Sequence, residues 1–454
     1  MFFEEIDKIA KIAKALIKEK NVKIVSHYDA DGLSSAAILI KALTRESVNF
    51  ELRILKQLTE AEIGSLDVSE KDFLIFSDLG SGQIEKLRRL LEKTQLLILD
   101  HHDPARKEHM NLLHINPLLF SEDEISGSMV TYLFVKSLSN KNADLIDLAV
   151  VGAIGDVMDN NWRLEGLGRR ILEEAEMLGK ISVNKGLRLY GRNTRPTFKS
   201  LEYSSDVIIP GVTGSESNAV QFLSEIGIEL KEGEKWRKLK DLTEEEQKKL
   251  ASAIIVERIK HGLDSASDVF GEIYTLIGRP DELQDTREFA TLLNACGRTG
   301  RYEVGIRLCL NDLAAIKDSW DIMEGYKRMI SDGMNWLRSG NIDEHEYVVV
   351  IDGGTKIPDT IIGTLSSITL NSGLTNGKKP IISFADIEVG KSKISARMSR
   401  DLNFNLRDII VEAAKAVNGE GGGHQFAAGG LIDSDKKEEF IKAAENKLSK
   451  LTGN

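Results

Sequence analysis

The sequence predicts an α/β protein: a doubly wound, mainly parallel N-terminal sheet, a helical middle region and a smaller C-terminal α/β domain. Three observations predict it. Short, almost continuously apolar runs alternate with helical periodicity through the first 160 residues, long charged segments at helical spacing occupy about 160–344, and the alternation resumes near Glu346. Near-continuous apolar strands belong to sheets covered on both faces, the usual condition of parallel strands. At 454 residues the chain exceeds what one hydrophobic core organises, and the expected divisions are 1–180, 181–345 and 346–454.

Taken in order, residues 3–18 place Ile6, Ile9, Ala10, Ile12, Ala13, Leu16 and Ile17 at helical spacing. Strands follow at 22–26, 50–55, 73–77 and 96–99, with helices at 34–44 and 83–92 and a helical run at 144–157. In such a sheet the ligand crevice lies at the carboxyl ends of the strands. The acidic and histidine residues fall there: His27, Asp29 and Asp31 after one strand, Asp78 after another, and Asp100, His101 and His102 after a third. Asp156 ends the helical run. Helices at 166–178, 243–260 and 313–338 make up the middle region, interrupted by a turn-rich piece at 209–214. Strands at 347–351, 381–384 and 393–398, with helices at 406–417 and 436–448, form the last domain.

The net charge of -11 argues against indiscriminate coating of nucleic acid, which needs Lys and Arg. Two runs are nonetheless basic: Lys185, Arg188, Arg192, Arg195 and Lys199, and Lys391, Lys393, Arg397, Arg400 and Arg407. They are expected to line a basic groove. No stretch approaches the roughly 18 to 20 apolar residues of a membrane helix, so no membrane partner is expected. The start Met1-Phe2-Phe3-Glu4-Glu5 lacks the basic head of a secretory signal, which gives a cytoplasmic expectation. Cys296 and Cys309 are too few and too far apart for a disulfide framework or paired-cysteine zinc site.

Carboxylates and imidazoles at strand ends supply ligands for two divalent metals, which together activate water and stabilise a phosphoryl group. That chemistry points to phosphate-ester hydrolysis. The mixed donor set favours Mn²⁺, with Mg²⁺ second. An acidic turn with an N-cap Asp would explain Asp29-Ala30-Asp31-Gly32 alone, and Gly32 would permit a sharp turn into the helix. A helix-loop-helix calcium site is excluded, because a strand precedes the loop and no Glu stands at its twelfth position. Paired histidines after an apolar strand are costly to bury unless they bind something. Spacing does not decide which imidazole meets a metal and which a phosphate. Near the C-terminus, Gly421, Gly422 and Gly423 precede His424; consecutive glycines leave N–H groups open to a phosphate, and a following helix would add its dipole.

Together these motifs, with Ser126-Gly127-Ser128, His114-Ile115-Asn116-Pro117 and residues 287–298, resemble the DHH phosphoesterase family in its subfamily with a GGGH loop in a second, DHHA1 domain. The likeness is to archaeal RecJ-like single-strand exonucleases, including the type associated with the GINS replication complex. It implies that Asp29, Asp31, Asp78, His101 and Asp156 are metal ligands, with Asp78 bridging and His27 adding a further ligand. His102 would contact the scissile phosphate and Asp100 would orient a histidine. His424 and the glycines, with Arg397 and Arg400 in the same domain, would hold the strand across an interdomain cleft. Residues 287–298 look like the opening of the second domain. The expected activity is exonucleolytic, 5′ to 3′ on single-stranded DNA in repair or replication, with GINS or other replisome components as partners. Alternatives are 3′ to 5′ action on RNA, a phosphodiesterase for short oligonucleotides or cyclic dinucleotides, and a replisome scaffold without catalysis.

Overall fold

The structure is a computed structural model that describes residues 1–204, 206–263, 267–372, 374–375, 377–388 and 390–452. The chain divides into two compact units, Met1–Ile322 and Met323–Asn454.

The first unit begins α1 (Phe2–Glu19), β1 (Asn21–His27), α2 (Ala30–Arg45), β2 (Phe50–Leu55), α3 (Glu60–Gly64), β3 (Asp72–Ser77), α4 (Ile84–Leu91), β4 (Gln95–Leu99) and β5 (Leu112–Ile115), then α5 (Gly127–Leu138), α6 (Ile146–Gly155) and α7 (Gly166–Met177). Its sheet has the order β2-β1-β3-β4-β5, and every pair is parallel. Phe73, Leu74, Ile75 and Phe76 of β3 and Leu96 to Leu99 of β4 are fully buried, which is why those runs show no polar alternation. The chain steps outward in opposite directions from β1 and β3. Between two such strands the connecting loops part, leaving a ligand crevice at the carboxyl ends.

The unit continues with β6 (Ile181–Leu187), α8 (Thr197–Glu202), α9 (Glu216–Glu225), β7 (Lys231–Glu232), β8 (Lys235–Trp236), α10 (Glu244–Lys260), β9 (Phe270–Leu276), α11 (Thr286–Arg298) and α12 (Tyr302–Cys309), and α13 (Ala315–Arg338) contains the boundary. Strands β6 and β9 pair antiparallel from Ile181↔Leu276 to Leu187↔Phe270, so the intervening chain leaves and returns at neighbouring points. That insertion has its own core, with Phe198, Leu201, Leu223, Leu250 and Ile254 among its buried members.

The second unit contains β10 (Asp343–Glu344), β11 (Val349–Asp352), α14 (Ile362–Asn371), β12 (Ile381–Glu388), β13 (Lys391–Arg397), α15 (Leu406–Ala416), β14 (Glu420–Gly423), β15 (Ala427–Asp433) and α16 (Lys437–Thr452). They form a six-stranded mixed sheet in the order β10-β11-β12-β13-β15-β14. The glycine-rich segment corrects the sequence reading: Gly421, Gly422 and Gly423 form an edge strand paired with β15, and a strand rather than a helix follows His424. The glycines permit close backbone approach. A Cβ on Gly421 would stand 2.9 Å from Val411 Cα, Gly423 has φ +127°, and Gly422 faces open space.

Candidate metal centre

Each acidic or histidine residue is delivered by a local backbone device. Asp29 is the N-cap of α2, its Oδ1 accepting from Gly32 N at 3.0 Å. Gly32 lies inside α2, and its role is contact rather than turning: a Cβ there would stand 2.3 Å from the His27 carbonyl oxygen. Asp78 leaves β3 at φ +59°, a left-handed conformation that Asp tolerates better than most side chains, and its N–H donates to Leu99 O at 2.9 Å. Buried Asp31 meets the N-terminus of α5, accepting from Gly127 N at 2.6 Å and Ser128 N at 3.0 Å, where the positive helix end favours its charge. Asp156 is the C-cap of α6.

These devices bring the residues into overlapping groups within ligand range: His27, Asp29 and Asp78; Asp31, His101 and Asp156; and Asp78, Asp100, His101 and His102. Asp78 joins them. Its Oδ2 lies 3.4 Å from His27 Nδ1 and its Oδ1 3.5 Å from His101 Nε2, so its two oxygens face different groups. His27 Nδ1 also lies 2.9 Å from Asp29 Oδ2, and His101 Nε2 3.5 Å from Asp156 Oδ2. Asp78 and His101 are 2% and 1% exposed.

The electrostatics fit a cation. Burial pushes the Asp31 carboxyl up, and Asp78 and Asp156 push it further. Burial likewise raises Asp156, to about 7, despite the opposing pull of His101. Burial works against charged imidazoles at His27 and His101, but the surrounding carboxylates outweigh it and raise both well above the ordinary value. The His27 ring sets its Nε2 3.3 Å from Lys56 O, which turns Nδ1 toward Asp29 and Asp78. Both His27 Nδ1 and Asp78 Oδ2 are buried without a well-formed hydrogen bond among the described residues. Acceptors aimed at one another persist with a proton or cation between them, and mixed carboxylate and imidazole donors suit a divalent transition metal.

Family models match the DHH family N-terminal domain over 21–154, a DHH-CID domain over 189–269 and a DHHA1 domain over 350–450. An uncharacterized protein of Methanocaldococcus jannaschii is 32% identical over 460 residues, covering 97% of this chain and 98% of that protein. The chain belongs to the DHH family. The single-stranded-DNA-specific exonuclease RecJ of Thermus thermophilus is 28% identical over 208 residues, 42% of this chain and 30% of that protein. Its structure in complex with Mn²⁺ matches the fold with a TM-score of 0.61 at 18% identity, over 98% of this chain and 55% of that one. CDC45 from Entamoeba histolytica matches it with a TM-score of 0.67 at 14% identity, over 99% of each chain.

Within the DHH triplet the two imidazoles have different surroundings. His101 is enclosed by Asp78, Asp156 and, at 3.5 Å from Nδ1, Glu124. His102 is half-exposed, with Nδ1 2.7 Å from Asp100 Oδ1. Burial alone would lower its pKa, but Asp100 reverses the effect and raises it to about 9. Asp100 is fixed in turn, accepting from Ser81 N and His101 N at 2.8 Å each. Asn116 donates to Ser81 Oγ and to the His102 carbonyl, giving the Asn-Pro motif a bracing role.

Sequence reasoning missed Glu124 and Gly152 of α6. Nothing local marks Glu124, whereas Gly152 betrays itself only once α6 is placed against Asp31. The segment 287–298 lies in α11 of the first unit, rather than opening the second domain. There Asn294 Oδ1 accepts from Ala30 N at 3.1 Å, and Gly297 admits the Tyr28 carbonyl, bracing the turn that carries Asp29 and Asp31. The expected basic groove is also revised for the first run. Arg188 is buried against Asn161 and Asp268, and Lys199 pairs with Glu202 and Glu216 at 2.8 Å each. In the second unit Arg397 donates to Ser367 Oγ at 3.1 Å, Arg400 lies 5.7 Å from the Phe426 ring centre, and His424 is exposed at the β14–β15 turn.

Proposed function

We propose that this chain is a divalent-metal-dependent exonuclease that hydrolyses terminal phosphodiester bonds of single-stranded nucleic acid, DNA taken 5′ to 3′. The observation that carries the reading is Asp78 at the strand-order reversal, one oxygen toward His27 and the other toward His101. His27, Asp29 and Asp78 would hold one metal, and Asp78, Asp31, His101 and Asp156 the other. Two bound cations supply a nucleophile at neutral pH and neutralise charge on the phosphoryl oxygens, and Mn²⁺ suits this donor set better than Mg²⁺.

The remaining steps belong to the chain. Asp100 fixes the His102 ring through Nδ1 and favours its protonated form, leaving Nε2–H to donate to the phosphoryl or leaving oxygen as the P–O bond breaks. Arg397, Arg400, His424 and the open backbone at Gly422 would hold strand phosphates in the second unit. A scaffold without catalysis leaves the buried acidic set unexplained, since carboxylates packed without a cation repel one another. Work in DNA repair or replication, with GINS or another replisome component as partner, belongs to the same proposal.

The test is digestion of 5′- and 3′-labelled single-stranded DNA and RNA over a range of lengths, with Mn²⁺ or Mg²⁺. The proposal expects stepwise shortening of DNA from its 5′ end. Release of no nucleotide from either terminus, with metal bound, would overturn it, and cleavage confined to di- and trinucleotides would assign a short-oligonucleotide phosphodiesterase instead.

A further inference from the structure

The inserted segment between β6 and β9 carries a row of interleaved aromatic rings and cations, in which one contact is ring to ring. The Arg195 guanidinium lies 4.7 Å from the Tyr190 ring centre and 5.4 Å from that of Tyr203. Lys199 Nζ lies 5.3 Å from Tyr203 and 5.7 Å from Phe198, and Phe198 meets Trp236 edge-on with centroids 5.0 Å apart. Lys231 Nζ sits 4.2 Å from the Trp236 ring. Each member shares a neighbour with the next, so the row is continuous.

Core packing accounts for Phe198, which is 5% exposed, but not for Tyr203 at 57% or Trp236 at 44%. Both side chains reach water, with Arg195 and Lys199 over the Tyr203 ring and Lys231 over that of Trp236. Among the described residues Arg195 and Lys231 make no ion pair within 4.0 Å, although Arg195 acts on Glu288, whereas Lys199 is neutralised by Glu202 and Glu216. Exposed aromatic side chains paired with cations are what unpaired bases on a phosphate backbone require, a base displacing or sharing the cation on the ring.

We propose that Tyr203 and Trp236, with Arg195 and Lys231, form a stacking platform for the bases of a single strand whose end occupies the metal centre. The proposal rests on the nuclease reading and adds a strand-length requirement to it. Its position supports this. Asn193 N donates to Glu288 Oε1 at 2.7 Å, tying the start of the row to the N-terminal turn of α11, whose other end holds the Tyr28–Ala30 turn through Asn294 and Gly297. At about 1.5 Å per residue, the six to nine intervening helical residues span roughly 9–14 Å. A strand that covers the row as well as the metals must be longer than one that only fills the metals.

The experiment uses the full chain. Anisotropy of a labelled single strand of about 15 nucleotides is measured with metal chelated, and kcat/KM for that strand and for a trinucleotide with Mn²⁺, in wild type and in Tyr203→Ala combined with Trp236→Ala. The proposal expects weaker binding of the long strand and a fall in the long-to-trinucleotide ratio of kcat/KM, each about 10- to 100-fold. Tyr203→Phe with Trp236→Phe keeps the rings and is expected to retain binding, which separates stacking from damage to the fold. Lys231→Gln should reduce the salt slope by about 0.7. Binding and a length ratio unchanged in the double alanine variant would overturn the platform while leaving the nuclease reading intact, and would give the patch to a protein partner. A wild type that neither binds nor cleaves any strand would overturn both.

Discussion

Gly152 of α6 is the position where the smallest substitution should do the most selective damage. A methyl group there would stand 2.2 Å from Ser128 Oγ and 2.5 Å from Asp31 Oδ1, against an ordinary contact of 3.4–4 Å. The neighbours must therefore retreat by about 1 Å, because a close-packed interior has no slack to absorb the group. Asp31 cannot swing away cheaply, since both its oxygens are held by the Gly127 and Ser128 N–H groups. Overpacking of this kind costs about 1–3 kcal/mol. Misplacing a positioning group by about 1 Å costs about 100-fold in rate. Gly152→Ala is thus expected to lower Tm by only about 2–10 °C while cutting the rate on a labelled single strand in Mn²⁺ by about 100-fold. Gly325→Ala, in α13 with nothing within 4 Å, is the control: about 1 kcal/mol more stable, with the rate unchanged. A Gly152→Ala protein with wild-type rate and a wild-type Mn²⁺-induced rise in Tm would refute the argument that Asp31 must stay where α5 and α6 hold it.

Asp78→Ala should abolish cleavage and the Mn²⁺-induced thermal shift, about 2.7 kcal/mol at 100 times Kd in wild type, yet leave a folded protein by circular dichroism; unchanged cleavage would remove Asp78 from the centre. Asp100→Asn removes the carboxylate that raises His102, so the alkaline limb of kcat/KM should move to lower pH, and an unmoved limb would assign it to another group. Because the Asp156 carboxyl is pushed up to about 7 and must lose its proton to ligate, Mn²⁺ binding at pH 7 should release protons, with affinity rising as pH climbs through 7. Titration with an indicator dye checks this, and affinity independent of pH between about 6 and 8 would contradict it.

The first sheet was legible because burial on both faces leaves continuous apolar runs, and 73–77 and 96–99 fall inside β3 and β4. The donors were legible for a related reason: strands ending at one edge place their next residues together, whatever their separation in sequence. What was missed has little local signal. Strand β5 is four residues long with a half-buried interior, and α5 opens on Gly127-Ser128, which reads as loop. The glycines of β14 read as a phosphate loop because a glycine strand has no side chains from which to show period two. Asn294 braces Ala30 across 264 positions, a pairing that only the packing of α11 reveals. The basic run at 185–199 reads differently in the fold, where Lys199 pairs with Glu202 and Glu216 and Arg195 packs against Tyr190 and Tyr203.

Anomalous diffraction from crystals grown with Mn²⁺ tests the central claim most directly. Two peaks are expected, one among His27, Asp29 and Asp78 and one among Asp31, His101 and Asp156, with an Asp78 oxygen next to each. A single peak without Asp78, or peaks only outside these residues, would contradict the assignment of a bridged metal pair.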